Sequence, residues 1–574
     1  MSLPRAENLS PLSDAAWSYE LAAHLLERAG FGGTPQEIGQ LAAVTPAAAV
    51  ASLVHYRQHD NSHLPPFEES GFWDPTLKNF PVSRPAATTL AAQTGEAMGV
   101  RAKPSGPRPL QAVTNRFFYW ARATTLETRR IGYWWLDRMV RTNRPLEEKL
   151  TLFWHGHFAT SEEKLRDYRK ALLQLGTLRA GASGNFGALL DAVAKDPAML
   201  VYLDAAQNVK GAPNENFGRE VMELFTMGVG NYTEDDIREA ARAFTGWGND
   251  DLTFVVDPDK HDTGIKNFLG HTGAFAGEDI LRIILEQPQT ANYIAAKLYR
   301  FFVREQISPD FAQTLGDLLR AGNYEIAPFL ETIFLSEDFY AEPSIAAHIK
   351  SPTELIVSTY RKLGIGELPG IPDPWSVGKT LGQVLLYPPT VAGWGEGRAW
   401  ITPGLLFERA NFAREVMFPN VIDFTDPLFN PGRVVKRVNA NILSGMEITA
   451  ATLEEGASPS MAAGIQESFN TRYGSLVGYQ EALRKLKPTP RAPAQFSLSD
   501  MLRTEGATTT GEAVDLLARR LLRVPLAPPA RAVLIDTLDG ELGTTSLLEA
   551  DTYMEHGLRM VAHLIMSAPQ YQLA

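Results

Sequence analysis

Helix-start signals recur along this 574-residue chain and limit its fold more than any other feature. Thr34-Pro35-Gln36-Glu37 supplies a capping hydroxyl, a proline at the first helical position and a carboxylate at the third. Such a box satisfies the orphan amides of a first turn locally. Thr45-Pro46 opens the next helix in the same way, and Thr233 to Asp236 is a second capping box. Apolar residues then recur at helical spacing. The pattern predicts helices over 17–29, 112–142, 146–157, 167–178, 185–195 and 217–227, with one from the second box to about Phe244. More follow over 278–286, 290–304, 309–321, 325–335, 352–363, 376–386 and 403–417, then over 511–523, 528–540 and 555–567. One convincing β signal interrupts them. LTFVV, the turn-like DPDKHDTG and IKNFLG predict a hairpin near 252–270. The fold class expected is mainly α, a multi-helix assembly with a small β-hairpin insertion.

Composition shifts divide the chain. N-terminal helices occupy 1–57, and a long Pro/Gly-rich loop occupies 58–111, with Phe72 and Trp73 as its candidate anchors. A helical core covers 112–417. An irregular insertion or linker covers 418–498, Pro-rich at 487–494, and C-terminal helices over 499–574 are expected to pack on the core. The chain has no Cys, which excludes thiolate-ligated zinc, iron–sulfur clusters and a Cys nucleophile. Any metal site must use His, Asp, Glu or Asn. The net charge of −12 and the lack of a basic stripe disfavour nucleic acid as a partner. No stretch of 18 apolar residues predicts a transmembrane helix. The opening MSLPRAENLSPLSDAAW lacks the layout of a signal peptide.

Four segments carry candidate chemistry. In Trp154-His155-Gly156-His157-Phe158, the pair His155 and His157 suggests a metal site. On a helix, however, the two rings lie about 200° apart at about 100° per residue. They share an ion only if the helix ends near Gly156; otherwise His157 is a hydrogen-bonded core residue and His155 lies near the surface. In the second segment Phe217, Val221, Leu224 and Phe225 form a buried face, with Asn216, Glu220 and Glu223 along its edge. That stripe suits a cation, a polyol or general acid/base work, and two close carboxylates push one pKa upward. A structural alternative pairs it with Arg219, Arg238 or Arg242. Asn208, Lys210, Gly211 and Asn214 precede this helix as candidate ligand contacts. Third, His261 and Asp262 sit in the predicted hairpin turn, as metal candidates or as plain turn residues. Fourth, Trp394 and Arg398 lie in a Gly- and Pro-rich loop that either stacks a sugar or is pinned by its own Trp residues. HExxH, GxSxG, the phosphate-loop spacing and a GxGxxG after a strand are absent.

FWHGHFATSEEK, DPAMLVYLDAAQNVKGAPNENFGREVMELFTMGVGNYTEDDIREAARAFTGW, HDTGIKNFLGHTG, KSPTELIVSTYRKLG and LYPPTVAGWGEGRAWI follow one another in this chain. Their order resembles the bacterial DUF1800 family, a domain of unknown function, from about Ala22 to Val416 and on to the LIMSAPQYQLA end. The resemblance implies no established reaction, cofactor or catalytic residue. It implies relatives encoded beside a protein similar to alkaline phosphatases and sulfatases, and an extracytoplasmic (periplasmic or secreted) setting. Two functions are therefore expected as alternatives. The first is a hydrolase on a polar substrate such as a glycan, with Glu220, Glu223 and His157 as catalytic residues. Asn208, Lys210, Asn214, Asn216, Arg219, Trp394 and Arg398 would bind substrate. The chemistry is either metal-assisted, with a divalent ion held by His155, His157, Glu220, His261 and Asp262, or metal-free acid/base work by the carboxylate pair, of glycosidase type. The second is a non-catalytic partner of the sulfatase-like protein in export or envelope assembly.

Overall fold

The computed structural model describes residues 5–78, 111–419, 478–490 and 492–574. The expected 58–111 loop lies outside the described residues from 79 to 110, the expected 418–498 insertion from 420 to 477, and Arg491 of the Pro-rich segment also lies outside them. Among the described residues helices carry the fold, with two antiparallel two-stranded ribbons as its sheet structure. No helix of the described residues is long and apolar enough to cross a membrane.

The start signals act as read. Thr34 and Glu37 make both arms of a capping box, Thr233 and Asp236 make another, and Thr45 accepts from the Ala48 amide. The β expectation needs correcting. Thr253–Val256 and Lys266–Phe268 do not pair with each other. Thr253–Val256 pairs back with Trp247–Asp250, and Lys266–Phe268 pairs forward with His271–Gly273. The turns decide this. Leu269 and Gly270 both take positive φ, 45° and 81°, as a two-residue hairpin turn of the primed kind requires. The first ribbon turns at Asp251, φ 54°.

Apolar side chains gather into two cores. One joins the N-terminal helices, through Leu25, Leu26 and Val50, to residues as far as Tyr340. The other joins helix Gln111–Arg141, about 46 Å long at 1.5 Å per residue, to Tyr360, Phe412 and the C-terminal Leu517, Leu558 and Tyr571. Helix Pro145–His157 serves both. Leu146, Leu150, Phe153 and Trp154 enter the first core, and Leu152 enters the second. Every residue of this helix except Gly156 is buried, as expected of a helix walled on all sides.

Charged groups are buried where the cores meet. Glu27 of helix Tyr19–Ala29 faces Lys362 at 2.8 Å, Lys350 at 3.3 Å and Arg523 at 3.6 Å. Glu354, at the first turn of helix Pro352–Lys362, takes Lys149 at 2.5 Å and His348 at 2.9 Å. Burial alone would raise the Glu27 carboxyl, but Lys362, Lys350 and Arg523 together hold it well below the usual carboxylate range. Breaking such a cluster from one side strands charge in the interior. Glu27→Gln is expected to cost about 3–5 kcal/mol of unfolding free energy in a denaturant titration. A loss under about 1 kcal/mol, the scale of an exposed pair, would contradict this account.

Candidate functional site

Helix Asn216–Glu223 carries the predicted polar stripe. Phe217, Val221 and Met222 hold it to the first core, Phe217 meeting Phe244 edge-on at 4.9 Å between centroids. Asn216 and Glu220, one turn apart, open on a pocket of about 590 Å³. Its other walls are Lys164, Arg166, Tyr202 and, from the facing loop, Pro389 and Val391. Lys164 reaches Asp204 at 2.8 Å and donates to the Tyr202 carbonyl. Asn216 donates to the Leu203 carbonyl at 3.2 Å.

Glu220 is half-buried, and among the described residues no side chain hydrogen-bonds or ion-pairs with its carboxylate. Burial first, and then the Glu223 carboxylate, raise its pKa, against a smaller lowering by Arg219. Glu223 accepts from the Tyr232 hydroxyl at 2.8 Å. The structural alternative for the stripe is not realised through the three arginines. Arg219 is held by Glu215 and Glu234, Arg238 pairs with Asp235, and Arg242 pairs with Glu239 and Asp262.

The two histidines of the HGH segment part company. His157 is buried, and its Nε2 bonds the Phe225 carbonyl at 3.0 Å. His155, expected near the surface in the core reading, is buried too. It stands between Trp135 and Trp394, at 5.4 and 5.3 Å, and its Nε2 accepts from the Leu386 amide at 3.2 Å. Burial lowers the His155 pKa to about 4 and holds His157 well below its ordinary value. Each ring thus pins one wall of the pocket: His157 the chain leaving helix Asn216–Glu223, and His155 the loop that carries Pro389 and Val391.

The expected metal set does not assemble. His155 and His157 face opposite ways. The His261 Nδ1 bonds the Thr245 carbonyl at 2.9 Å, and Asp262 takes the Arg242 guanidinium, which holds its carboxyl down to about 2. Among the described residues, no group of three or more His, Asp or Glu side chains is placed to hold a metal ion. The expected substrate contacts also separate. Asn208 pins its own loop, donating to the Ala241 carbonyl and accepting from the Asn214 amide, and the Asn214 side chain accepts from the Asn216 amide. Lys210 and Arg398 are exposed and stand outside the pocket walls, as does Arg219. Trp394 lines a different cavity, together with His157.

Sequence reasoning missed Lys164, Arg166 and Tyr202, whose positions depend on tertiary packing. It also missed Glu162, whose amide donates to the Leu386 carbonyl and whose carboxyl faces inward to the Thr124 hydroxyl. The acidic pair in SEEK was the available signal: one carboxyl goes to the pocket, the other to the interior.

Comparison with protein families matches residues 24–573 to the family described as a protein of unknown function, DUF1800. The chain belongs to that family. No curated protein and no solved structure matches it.

Burial raises the Glu162 pKa to about 8, against a lowering by its Thr124 bond. The folded chain therefore keeps this proton between about pH 4.3, where an unfolded glutamate releases it, and pH 8. Stability should decline across that window as pH rises, by up to about 1.4 kcal/mol per pH unit from this group. Glu162→Gln should flatten the decline in denaturant titrations run from pH 5 to 8. An unchanged slope would rule out the assignment.

Proposed function

We infer that this protein is a hydrolase acting through carboxyl acid/base chemistry on a polar substrate such as a glycan, with Glu220 as the proton donor. The supporting observation is an unpaired, half-buried carboxyl with a raised pKa in a roomy polar pocket. Such groups mark sites where a proton is exchanged near neutral pH. The volume of about 590 Å³ falls within the usual range for small-ligand sites, and Tyr202 offers a ring against which a sugar face can lie. Glu220 in its acid form passes its proton to the leaving-group oxygen as the C–O bond breaks. Water adds to the carbon, and the proton that water sheds returns to the Glu220 carboxylate. Glu223 tunes this acid through its negative charge.

The metal-assisted version of this expectation has no ligand set among the described residues. A separate observation favours the non-catalytic reading. Helix Pro403–Met417 exposes Leu406 and Phe407, the latter 67% exposed, and packs on helix Met554–Ser567, which exposes Leu564. An apolar face of that kind suits a protein contact, here with the sulfatase-like neighbour that the family resemblance suggests. Binding of that purified neighbour, lost in Phe407→Asp and unaccompanied by hydrolysis, would select this reading.

Release of reducing ends from a panel of polysaccharides tests the hydrolase. Glu220→Gln should lower kcat/KM by about 10²–10⁴ with little change in Tm. In the wild type, activity should fall as pH rises through the raised pKa of Glu220. Glu223→Gln should move that alkaline limb to lower pH, since it removes a charge that raises the pKa. Full activity in Glu220→Gln, or a collapse of Tm, would move Glu220 to a structural role.

A further inference from the structure

A second cavity, of about 180 Å³, lies on the other side of the 389–400 loop: Val391 lines the first pocket and Ala392 this one. Its walls mix aromatic rings, among them Phe301, Trp394 and Trp400, with a few charged groups. Three features require a physical account.

The first is Lys297. It lines the cavity from helix Pro288–Phe302, its Nζ 5.2 Å above the Tyr293 ring, and among the described residues no carboxylate or carbonyl accepts from it. The other charges facing the cavity are arranged differently. Glu354 is already taken by Lys149 and His348, while Arg300, Glu305 and Glu396 are exposed. Burial lowers the Lys297 pKa, against a raising by Glu396, which marks the ammonium as short of partners.

The second is Gly156. Glycine inside a helix is less stable than alanine, so packing usually explains it. Here a methyl group at Gly156 would meet nothing within 4 Å. Gly393 is explained: its φ is +86°, and a side chain there would stand 2.4 Å from the Gly156 carbonyl. What Gly156 provides is room in the cavity wall.

The third is His348. Its Nε2–H donates to Glu354 at 2.9 Å, and burial holds its pKa down to about 4. It faces the cavity as a hydrogen-bonding ring with its Nε2 already committed to Glu354.

We propose that this cavity binds a small planar organic acid, the ring against Trp394, Trp400 and Phe301 and the carboxylate on Lys297. The size fits. An apolar cavity of roughly 150 Å³ holds a benzene molecule, so this one takes a single ring bearing a carboxylate. The site is distinct from the Glu220 pocket and does not depend on the hydrolase reading.

Benzoate is the probe, with benzamide as its uncharged isostere, each titrated calorimetrically into the full chain. Benzoate should saturate one site and bind more tightly than benzamide. Lys297→Met should weaken benzoate by at least about tenfold while leaving benzamide unchanged. Gly156→Ala guards against a folding artefact, because its two effects have opposite signs. It should raise Tm, as alanine in a helix does, and weaken benzoate severalfold by filling the space. No saturable benzoate binding, equal binding of benzamide, or undiminished binding in both variants would overturn the proposal.

Discussion

The pairing of Glu27 and Glu354 with buried cations sets the terms for the rest of the structure. Lys350 and Lys362 flank or belong to helix Pro352–Lys362, Lys149 belongs to helix Pro145–His157, and Arg523 follows the C-terminal helix Thr510–Leu521. Buried charges of this kind contribute little net stability, because desolvation offsets most of the attraction. What they enforce is arrangement. The cluster is satisfied only when the N-terminal helix, the HGH helix and the 350–362 segment stand in one geometry. Both pockets are built against that frame. Helix Pro145–His157 carries the histidines that hold the walls of the first, and Glu354 and His348 line the second.

Features fixed by neighbouring residues were legible in the sequence. Thr34-Pro35-Gln36-Glu37 caps a helix because every partner lies within one turn. The stripe of Asn216, Glu220 and Glu223 could be read because helical periodicity puts the three on one edge. The opposed directions of His155 and His157 also follow from helical angle. What each ring touches does not, since Phe225 and Leu386 are brought there by packing. The hairpin insertion was legible, but which strands pair in it was not, for a local reason. LTFVV and IKNFLG look like partners across a turn, but the positive φ values at Leu269 and Gly270 close a tighter ribbon first. The pairing of Lys149 with Glu354, across 205 residues, leaves no trace in either local sequence.

The carboxyl groups of this protein divide by their partners. Glu27 and Glu354 lie beside cations that hold them ionised despite burial, and the partly exposed Asp262 is held down by Arg242. Glu162 and Asp196 are buried without such a cation in contact, and burial pushes them up to about 8 and about 7. Glu220 shares their upward shift, but it stands at an open pocket rather than in the interior. Accessibility, more than the size of the shift, separates a group that can exchange a proton with a ligand from one that stores it.

The spread of the Glu27 contacts along the chain bears on how the protein is made. Arg523 follows Glu27 by 496 residues along the chain. At roughly 5–20 residues per second, that is a wait of about 25–100 s. Lys350 and Lys362 are made earlier in that interval, so the Glu27 carboxylate meets two of its cations first and Arg523 last. The first core can gather before Arg523 is made, but its junction with the second core is complete only after it. Joining the two cores through buried charge therefore leaves their junction open for that interval, the kind of exposure that makes partly folded chains prone to aggregate.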